Sequence, residues 1–203
     1  MPIIQTNKPL RKRDEHDYYP TPEKLAGVMF DLYGQDRFLG TNSYLNMLDP
    51  GSGYGVFGKV GREKHPLAHI TGVELDTKKP SNLAYDTYLY KDYLNLSTQH
   101  TSNHNLIIGN PPYKLAEQFI WKSVEFLAFH GVIMFLLRLN FLEGIKRNKG
   151  IYTDFKPTSI YVLAERPSFT GNNKTDATAY AIFVWDTGKN MKVDTTLKFL
   201  SWK

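Results

Sequence analysis

A glycine-rich turn follows the first apolar run of this chain and limits the folds open to it. Residues 44–48 predict a buried strand, the segment DPGSGYG occupies residues 49–55, and residues 56–64 have helical character. Glycines at this junction permit positive backbone φ angles and leave main-chain amides unshielded. A strand that ends in such a turn and leads into a helix indicates a ligand-binding crossover in an α/β sheet.

The next part of the chain continues the alternation of strands and helices. Strands are predicted at residues 69–75, 84–88, 105–109 and 132–139, and a helix at residues 115–130. Such alternation predicts a mostly parallel sheet with helices on both faces.

An earlier helix is predicted to begin near residue 21. Thr21 is the expected N-cap, Pro22 the first helical residue, and Gly34 or Gly40 the end. This amphipathic helix is expected to lead into the core.

The last 45 residues are organised differently. Residues 159–164 and 179–186 predict two strands joined by a polar loop, and residues 195–200 a possible final strand. Two strands without an intervening helix predict an antiparallel hairpin at the sheet edge. The length of 203 residues favours one domain, expected over residues 18–203 and preceded by a basic arm, residues 1–17.

Composition narrows the class of protein. A hydrophobic content of 41% and a charged content of 22% indicate a folded chain. The absence of cysteine excludes disulfides and cysteine-ligated metals, and it fits a reducing, cytoplasmic setting. The longest apolar run, residues 131–137, is far shorter than the ~20 residues that span a bilayer, so no membrane segment is expected. His65 and His69 have no evident third ligand, so no metal is expected. Residues 1–13 carry four basic side chains and no acidic one, and residues 138–157 carry five against two. This bias favours a polyanionic partner.

The carboxylates around the glycine-rich turn indicate which cofactor it would hold. Glu74 ends the next predicted strand, 23 residues after Gly51, near the spacing at which an acidic residue binds ribose hydroxyls. The turn has the pattern G-x-G-x-G, and Asp49 opens it. A carboxylate facing the ligand repels a pyrophosphate and attracts the sulfonium and ammonium groups of S-adenosylmethionine. We therefore predict S-adenosylmethionine in preference to NAD.

A second motif, Asn110-Pro111-Pro112-Tyr113, directly follows the strand predicted at residues 105–109. Two prolines fix two φ angles and remove two backbone donors, so the carbonyls and the asparagine amide point in set directions. Acceptors beside an aromatic face suit a planar substrate that carries an amino group.

These motifs, in this order, resemble those of N(6)-adenine DNA methyltransferases, in a compact form typical of phages and prophages. The similarity rests on DPGSGYG, GVELD and NPPY, supported by YYPTP at 18–22, KDYL at 91–94, and RPSFTG followed by AYAIFVWD at 166–186. It spans residues 17–187. The resemblance implies the Rossmann-like class I S-adenosylmethionine-dependent methyltransferase fold, with a mostly parallel seven-stranded sheet and a C-terminal antiparallel hairpin.

The resemblance also implies roles in cofactor binding. The amino-acid part of the cofactor would lie on the glycine-rich turn, its methionyl end under the segment near residue 20, and its ribose on Glu74. Asp92 would contact the adenine amino group, and Tyr93 or Leu75 would supply an apolar contact. The residues implied are Tyr19, Thr21, Pro22, Asp49, Gly51, Gly53, Glu74, Leu75, Asp92 and Tyr93.

For the substrate, the resemblance implies transfer of a methyl group to the amino group of adenine in DNA. Asn110 and the Pro111 carbonyl would accept hydrogen bonds from that amino group, and Tyr113 would stack on the flipped-out base. Phe169 is the candidate for the opposite face of the base. No segment is left over for a target-recognition domain, so short or weak sequence specificity is expected.

Phosphate contacts are expected from the basic segment of residues 138–157, through Arg138, Lys146, Arg147 and Lys149. Two alternatives stay open. The same pocket suits a methyltransferase that acts on RNA or on a protein glutamine, and a non-catalytic nucleic-acid-binding protein would retain the fold without turnover.

Overall fold

A computed structural model describes residues 20–37, 44–79, 84–169, 177–189 and 194–203. The basic arm, Tyr19 and Gly40 lie outside these residues. The described helices are α1 (Glu23–Arg37), α2 (Val56–Lys64), α3 (Ala116–Phe126), α4 (Ile145–Lys149) and α5 (Ile151–Asp154). The described strands are β1 (Asn46–Pro50), β2 (His69–Glu74), β3 (Thr87–Tyr90), β4 (His104–Gly109), β5 (Leu127–Arg138), β6 (Ser159–Leu163), β7 (Tyr180–Asp186) and β8 (Thr196–Leu200).

These strands form a sheet in the order β3-β2-β1-β4-β5-β7-β6-β8. Strands β1 to β5 are parallel to one another where they pair, and β7 is antiparallel to both β5 and β6. The predicted hairpin is therefore confirmed, with β7 inserted between β5 and β6. The described sheet has eight strands instead of the seven expected, because β8 pairs in parallel with β6.

Strand β1 marks the point where the strand order reverses. It pairs with β2 on one side and with β4 on the other, so the chain leaves these strands in opposite directions. Ligands in open α/β sheets bind in the crevice outside the carboxyl ends of strands at such a point. The glycine-rich turn after β1 and the NPPY motif after β4 therefore share one edge of the sheet.

Apolar side chains alternate between two core clusters, one on each face of the sheet. Along β5, Met134 belongs to one cluster and Phe135 to the other, and along β1 Met47 and Leu48 divide in the same way. This follows from the period of two along a strand. Burial on both faces explains why these strands are continuous apolar runs.

One predicted helix was too long. The helix expected at residues 115–130 ends at Phe126, and β5 begins at Leu127, where it pairs with His104 of β4. A short apolar run has no clear period, so pairing with β4 decides its structure. Phe129 is consequently 89% exposed.

Helix α1 begins one residue after Pro22, the expected first helical residue, and continues through Gly34 to Arg37. Its first hydrogen bond runs from the Ala26 amide to the Pro22 carbonyl. The hydroxyl of Thr21, the expected N-cap, accepts a hydrogen bond from Asn110 Nδ2. Pro22 is half-buried at this junction.

Tyr85, just before β3, is enclosed by two glycines. A Cβ atom at Gly58 of α2 would lie 2.4 Å from Tyr85 Cζ, and one at Gly72 of β2 would lie 2.8 Å from Tyr85 Cδ1. Tyr85 itself is 9% exposed. Its ring therefore fills space that side chains at positions 58 and 72 would otherwise occupy.

We predict opposite effects for two helical Gly→Ala substitutions. Gly34→Ala, with no atom near the added methyl group, should stabilise by up to about 1 kcal/mol through helix propensity. Gly58→Ala should destabilise by about 2 kcal/mol, because overpacking against Tyr85 exceeds the same propensity gain. Denaturant unfolding followed by circular dichroism measures both, and equal effects would contradict this packing.

Candidate active site

The glycine-rich turn is held against β2 by backbone hydrogen bonds. The amides of Gly51 and Ser52 donate to the Val73 carbonyl at 2.8 and 2.9 Å. Gly51, Gly53 and Gly55 have φ angles of 72°, 59° and 80°, which favour glycine. A Cβ atom at Gly51 would lie 3.8 Å from Phe119, so the turn leaves space in front of its backbone.

Glu74, at the end of β2, closes this turn from the other side. Its Oε2 accepts a hydrogen bond from the Gly53 amide at 2.7 Å, and its Oε1 accepts one from the Asp76 amide at 2.9 Å. The ammonium group of Lys79 lies 3.6 Å from Oε1. A carboxylate offers about four acceptor positions, so Glu74 retains capacity for a ligand hydroxyl.

Asp92 follows β3 and is positioned by its own turn. Its carboxylate accepts hydrogen bonds from the Leu94 amide at 3.0 Å and from Asn95 Nδ2 at 2.8 Å. Beside it, Tyr93 is buried with its hydroxyl 2.8 Å from Ser123 Oγ, and burial raises the pKa of Tyr93. The segment therefore places one fixed carboxylate next to a rigid aromatic side chain.

A cleft of about 350 Å³ joins these elements. This volume lies within the range of small-molecule sites, roughly 300–1,000 Å³. The predicted residues that line it are Thr21, Gly51, Glu74, Leu75, Asp92, Tyr93, Asn110 and Pro112. Sequence reasoning missed several further lining residues, among them Phe57, Lys79, Lys114 and Phe119.

Asp49 does not face the cleft in the way the sequence suggested. It is fully buried and absent from the cleft lining, and its Oδ2 accepts a hydrogen bond from the Tyr85 hydroxyl at 2.6 Å. Burial raises the pKa of Asp49 to about 7; the hydrogen bond from Tyr85 opposes that rise, and the charge of Glu74 adds to it. The negative charges that border the cleft belong to Glu74 and Asp92.

Because burial raises the pKa of Asp49, the free energy of unfolding should depend on pH. Because the pKa is raised in the folded state, stability is lost as pH rises from about 4 to about 7. Asp49→Asn has no carboxyl group to ionise and so does not lose this stability. The free energy of unfolding of the variant minus that of the unsubstituted protein should therefore rise between about pH 4 and pH 7, by up to about 4 kcal/mol. Denaturant unfolding of both proteins at pH 5 and pH 8 isolates Asp49 from other titrating groups. The same difference in stability at both pH values would contradict the prediction.

Asn110 connects the NPPY motif to the start of α1. Its Nδ2 donates to Thr21 Oγ1 at 3.1 Å, across 89 residues of sequence. Thr21 is 7% exposed and borders the cleft. Pro111 is buried and Pro112 half-buried, so the motif is anchored on one side and open to the cleft on the other.

Tyr113 lies against a group of aromatic and basic side chains. The guanidinium of Arg138 lies 4.8 Å from the centre of its ring, and the ring of Tyr180 lies 5.7 Å away. Asn110 and Tyr180 lie beside its hydroxyl, and burial raises the pKa of that hydroxyl well above the usual value. Arg138, predicted as a phosphate contact, thus contacts the predicted base-stacking residue.

Phe169 is placed differently from its expected role. It is 6% exposed, and its ring packs edge-on against Tyr180 at 5.1 Å. Residues 170–176 of the same loop lie outside the described residues. Phe169 therefore supports Tyr180, which in turn contacts Tyr113.

The basic segment beyond β5 has two kinds of cation. Lys146 and Lys149 are exposed on α4. Arg147 is engaged within the protein: its Nη1 donates to the Glu143 carbonyl at 2.7 Å, its Nε lies 3.8 Å from Glu117, and its guanidinium stacks on Phe141. Arg147 is therefore held by contacts within the protein, whereas Lys146 and Lys149 are exposed.

Among the described residues, no helix has both the length and the apolar character needed to cross a membrane. The same residues contain no group of three or more histidine, aspartate or glutamate side chains placed to hold a metal ion.

Comparison with solved structures identifies the fold. The chain superposes with a TM-score of 0.67 and 13% identity on a Listeria monocytogenes protein described as a class I S-adenosylmethionine-dependent methyltransferase, over 94% of this chain and 68% of that one. No protein-family model and no curated protein sequence matches the chain. The described residues have the class I S-adenosylmethionine-dependent methyltransferase fold.

Two other similar structures are modification subunits of type I restriction enzymes. The subunit from Vibrio vulnificus superposes with a TM-score of 0.64 and 14% identity, over 91% of this chain and 47% of that one. The EcoKI M protein superposes with a TM-score of 0.65 and 14% identity, over 93% of this chain and 49% of that one. This chain spans about half the length of these two subunits.

Proposed function

We propose that this protein transfers a methyl group from S-adenosylmethionine to the exocyclic amino group of adenine in DNA. The observation that carries the proposal is the position of the NPPY motif: Asn110 and Pro112 border the same cleft as Glu74 and Asp92. One cleft therefore combines acidic residues suited to a nucleoside cofactor with acceptors suited to an amino group.

The residues of the cleft fit S-adenosylmethionine. Gly51 leaves its backbone open to a ligand, Glu74 retains acceptor capacity, and Asp92 is a fixed acceptor beside the apolar Tyr93 and Leu75. When bound, S-adenosylmethionine supplies an electrophilic methyl group on a sulfonium. The carboxylates of Glu74 and Asp92 attract the sulfonium of this cofactor, and Lys79, Lys91 and Lys114 also line the cleft.

Asn110 would activate the substrate. The nitrogen lone pair of an adenine amino group is delocalised into the ring, which makes it a poor nucleophile. Hydrogen bonds from the two amino hydrogens to the Asn110 amide oxygen and the Pro111 carbonyl favour a pyramidal nitrogen with a localised lone pair. They also stabilise the positive charge that develops on nitrogen during transfer. No strong base is needed for this role.

DNA as the substrate is supported by the surroundings of the cleft. The exposed Lys146 and Lys149 follow β5, the strand next to β4, and so lie beyond the edge of the sheet that holds the NPPY motif. They suit contacts to phosphates. Two structural neighbours are modification subunits of restriction enzymes. A duplex adenine must leave the stack to reach the cleft, and we propose Tyr113, supported by Arg138, as its stacking partner.

The described residues form a single eight-stranded sheet with its helices. We propose recognition of a short site or weak sequence preference. The restriction-enzyme subunits that resemble the chain are about twice its length.

Methyl transfer can be assigned to one substrate class by offering three in parallel. The protein is incubated with S-adenosylmethionine that carries a tritiated methyl group. Each reaction also contains one of three substrates: duplex DNA of mixed sequence, structured RNA or a protein extract. We expect label in DNA. Label in RNA or protein alone would overturn the DNA assignment while retaining a methyltransferase.

Asn110→Ala separates catalysis from cofactor binding. Loss of its acceptor should reduce label transfer by a factor of 100 or more, on the order of the loss of one transition-state hydrogen-bonding group. Binding of S-adenosylmethionine, measured by calorimetry, should change little. Thr21→Val is a matched control, because it removes the Asn110–Thr21 hydrogen bond and keeps the Asn110 amide. Full activity of Asn110→Ala would refute the role of Asn110 as an acceptor for the amino group.

A further inference from the structure

Asp49 and Tyr85 form a buried pair, and glycines at neighbouring positions leave room for their side chains. The Tyr85 hydroxyl donates to Asp49 Oδ2 at 2.6 Å. A Cβ atom at Gly109, the residue before the NPPY motif, would lie 3.3 Å from Asp49 Oδ1. Gly58 and Gly72 similarly make room for the Tyr85 ring. The fold thus accommodates a carboxylate and its donor between the two motifs of the cleft.

The pair is also connected to the start of α2. Gly58 lies in the first turn of that helix and contacts the Tyr85 ring, where an added Cβ atom would lie 2.4 Å from Tyr85 Cζ. Burial raises the pKa of the Tyr85 hydroxyl, and the Gly58 backbone opposes that rise. Tyr85 therefore lies between the start of α2 and Asp49.

One oxygen of Asp49 has no hydrogen-bond partner among the described residues. Oδ1 is fully buried, and Asp49 is 0% exposed. A buried carboxylate oxygen without a donor is costly. Such a cost is consistent with a charge that becomes favourable only when a cation lies nearby.

We propose that Tyr85 is a positioning residue of the cofactor site, which holds Asp49 as a buried negative charge that strengthens binding of a cationic cofactor. This inference rests on the proposed use of S-adenosylmethionine. The charge acts through the glycine-rich turn and not by direct contact, because Asp49 does not line the cleft. A sulfonium cofactor gains from this charge, and the product S-adenosylhomocysteine, which has no sulfonium, gains less.

The groups around Asp49 determine the sign of the pH dependence. Tyr85 donates a hydrogen bond to it, Glu74 at the end of β2 adds a negative charge, and Tyr88 of β3 lies within electrostatic range. Lys79 is paired with Glu74. Burial dominates and raises the pKa of Asp49 to about 7, so the charge is present mainly above neutral pH.

The test measures affinity for S-adenosylmethionine and for S-adenosylhomocysteine by calorimetry between pH 5.5 and 8.5. Both ligands carry the same amino and carboxyl groups, so the ratio of the two affinities isolates the sulfonium. For the unsubstituted protein, we expect this ratio to rise on the order of tenfold as pH increases through the Asp49 pKa.

Tyr85→Phe keeps the ring and removes the donor, so the midpoint of this rise should move upward by roughly one pH unit. Asp49→Asn should flatten the profile, which keeps the proposal testable if the Tyr85 variant is unstable. Tyr152→Phe is the matched control: its hydroxyl bonds to the Phe141 carbonyl and lies outside the Asp49 pair, so its profile should be unchanged.

Three results would overturn the inference. A flat profile in the unsubstituted protein, or the same midpoint in Tyr85→Phe, would refute the role of Tyr85 while leaving the proposed function intact. If the unsubstituted protein binds neither ligand at any pH, the proposed function fails and this inference fails with it.

Discussion

The closure of the glycine-rich turn onto β2 is the interaction on which the site depends. Two amides of the turn share the Val73 carbonyl, and a third donates to the Glu74 carboxylate. Positive φ angles at Gly51, Gly53 and Gly55 make this path possible. Without these bonds, neither the open backbone at Gly51 nor the orientation of Glu74 would be maintained, and the cleft would lose one wall.

Strand order then brings the second motif to the same place. Because β1 pairs with both β2 and β4, the NPPY motif emerges beside the glycine-rich turn. The hydrogen bond from Asn110 to Thr21 ties the start of α1 to this edge. Residues from five separate stretches of the chain therefore border one cleft, and the buried pair of Asp49 and Tyr85 lies outside its lining.

Local patterns predicted most of the elements. The bounds of α2 agree with the expected residues 56–64, because a glycine-rich turn and a clear helical period mark both ends. Residues 115–130 were predicted as one helix, but the helix ends at Phe126 and β5 begins at Leu127. The pairing of Leu127 with β4 causes this change, and it is a tertiary effect. Burial of Asp49 was not predictable for the same reason, because it depends on Tyr85, which is 36 residues away and belongs to no motif. Burial of Phe169 depends on how its ring packs against Tyr180, which a sequence pattern does not specify.

The position of the transferred methyl group can be read directly from the product. DNA treated with the protein and S-adenosylmethionine is digested to nucleosides and examined by mass spectrometry. We expect N6-methyldeoxyadenosine, because we propose that Asn110 and the Pro111 carbonyl accept hydrogen bonds from an amino group. Methylation of a ring carbon or ring nitrogen, or DNA that stays unmodified while another class of substrate is methylated, would contradict this proposal.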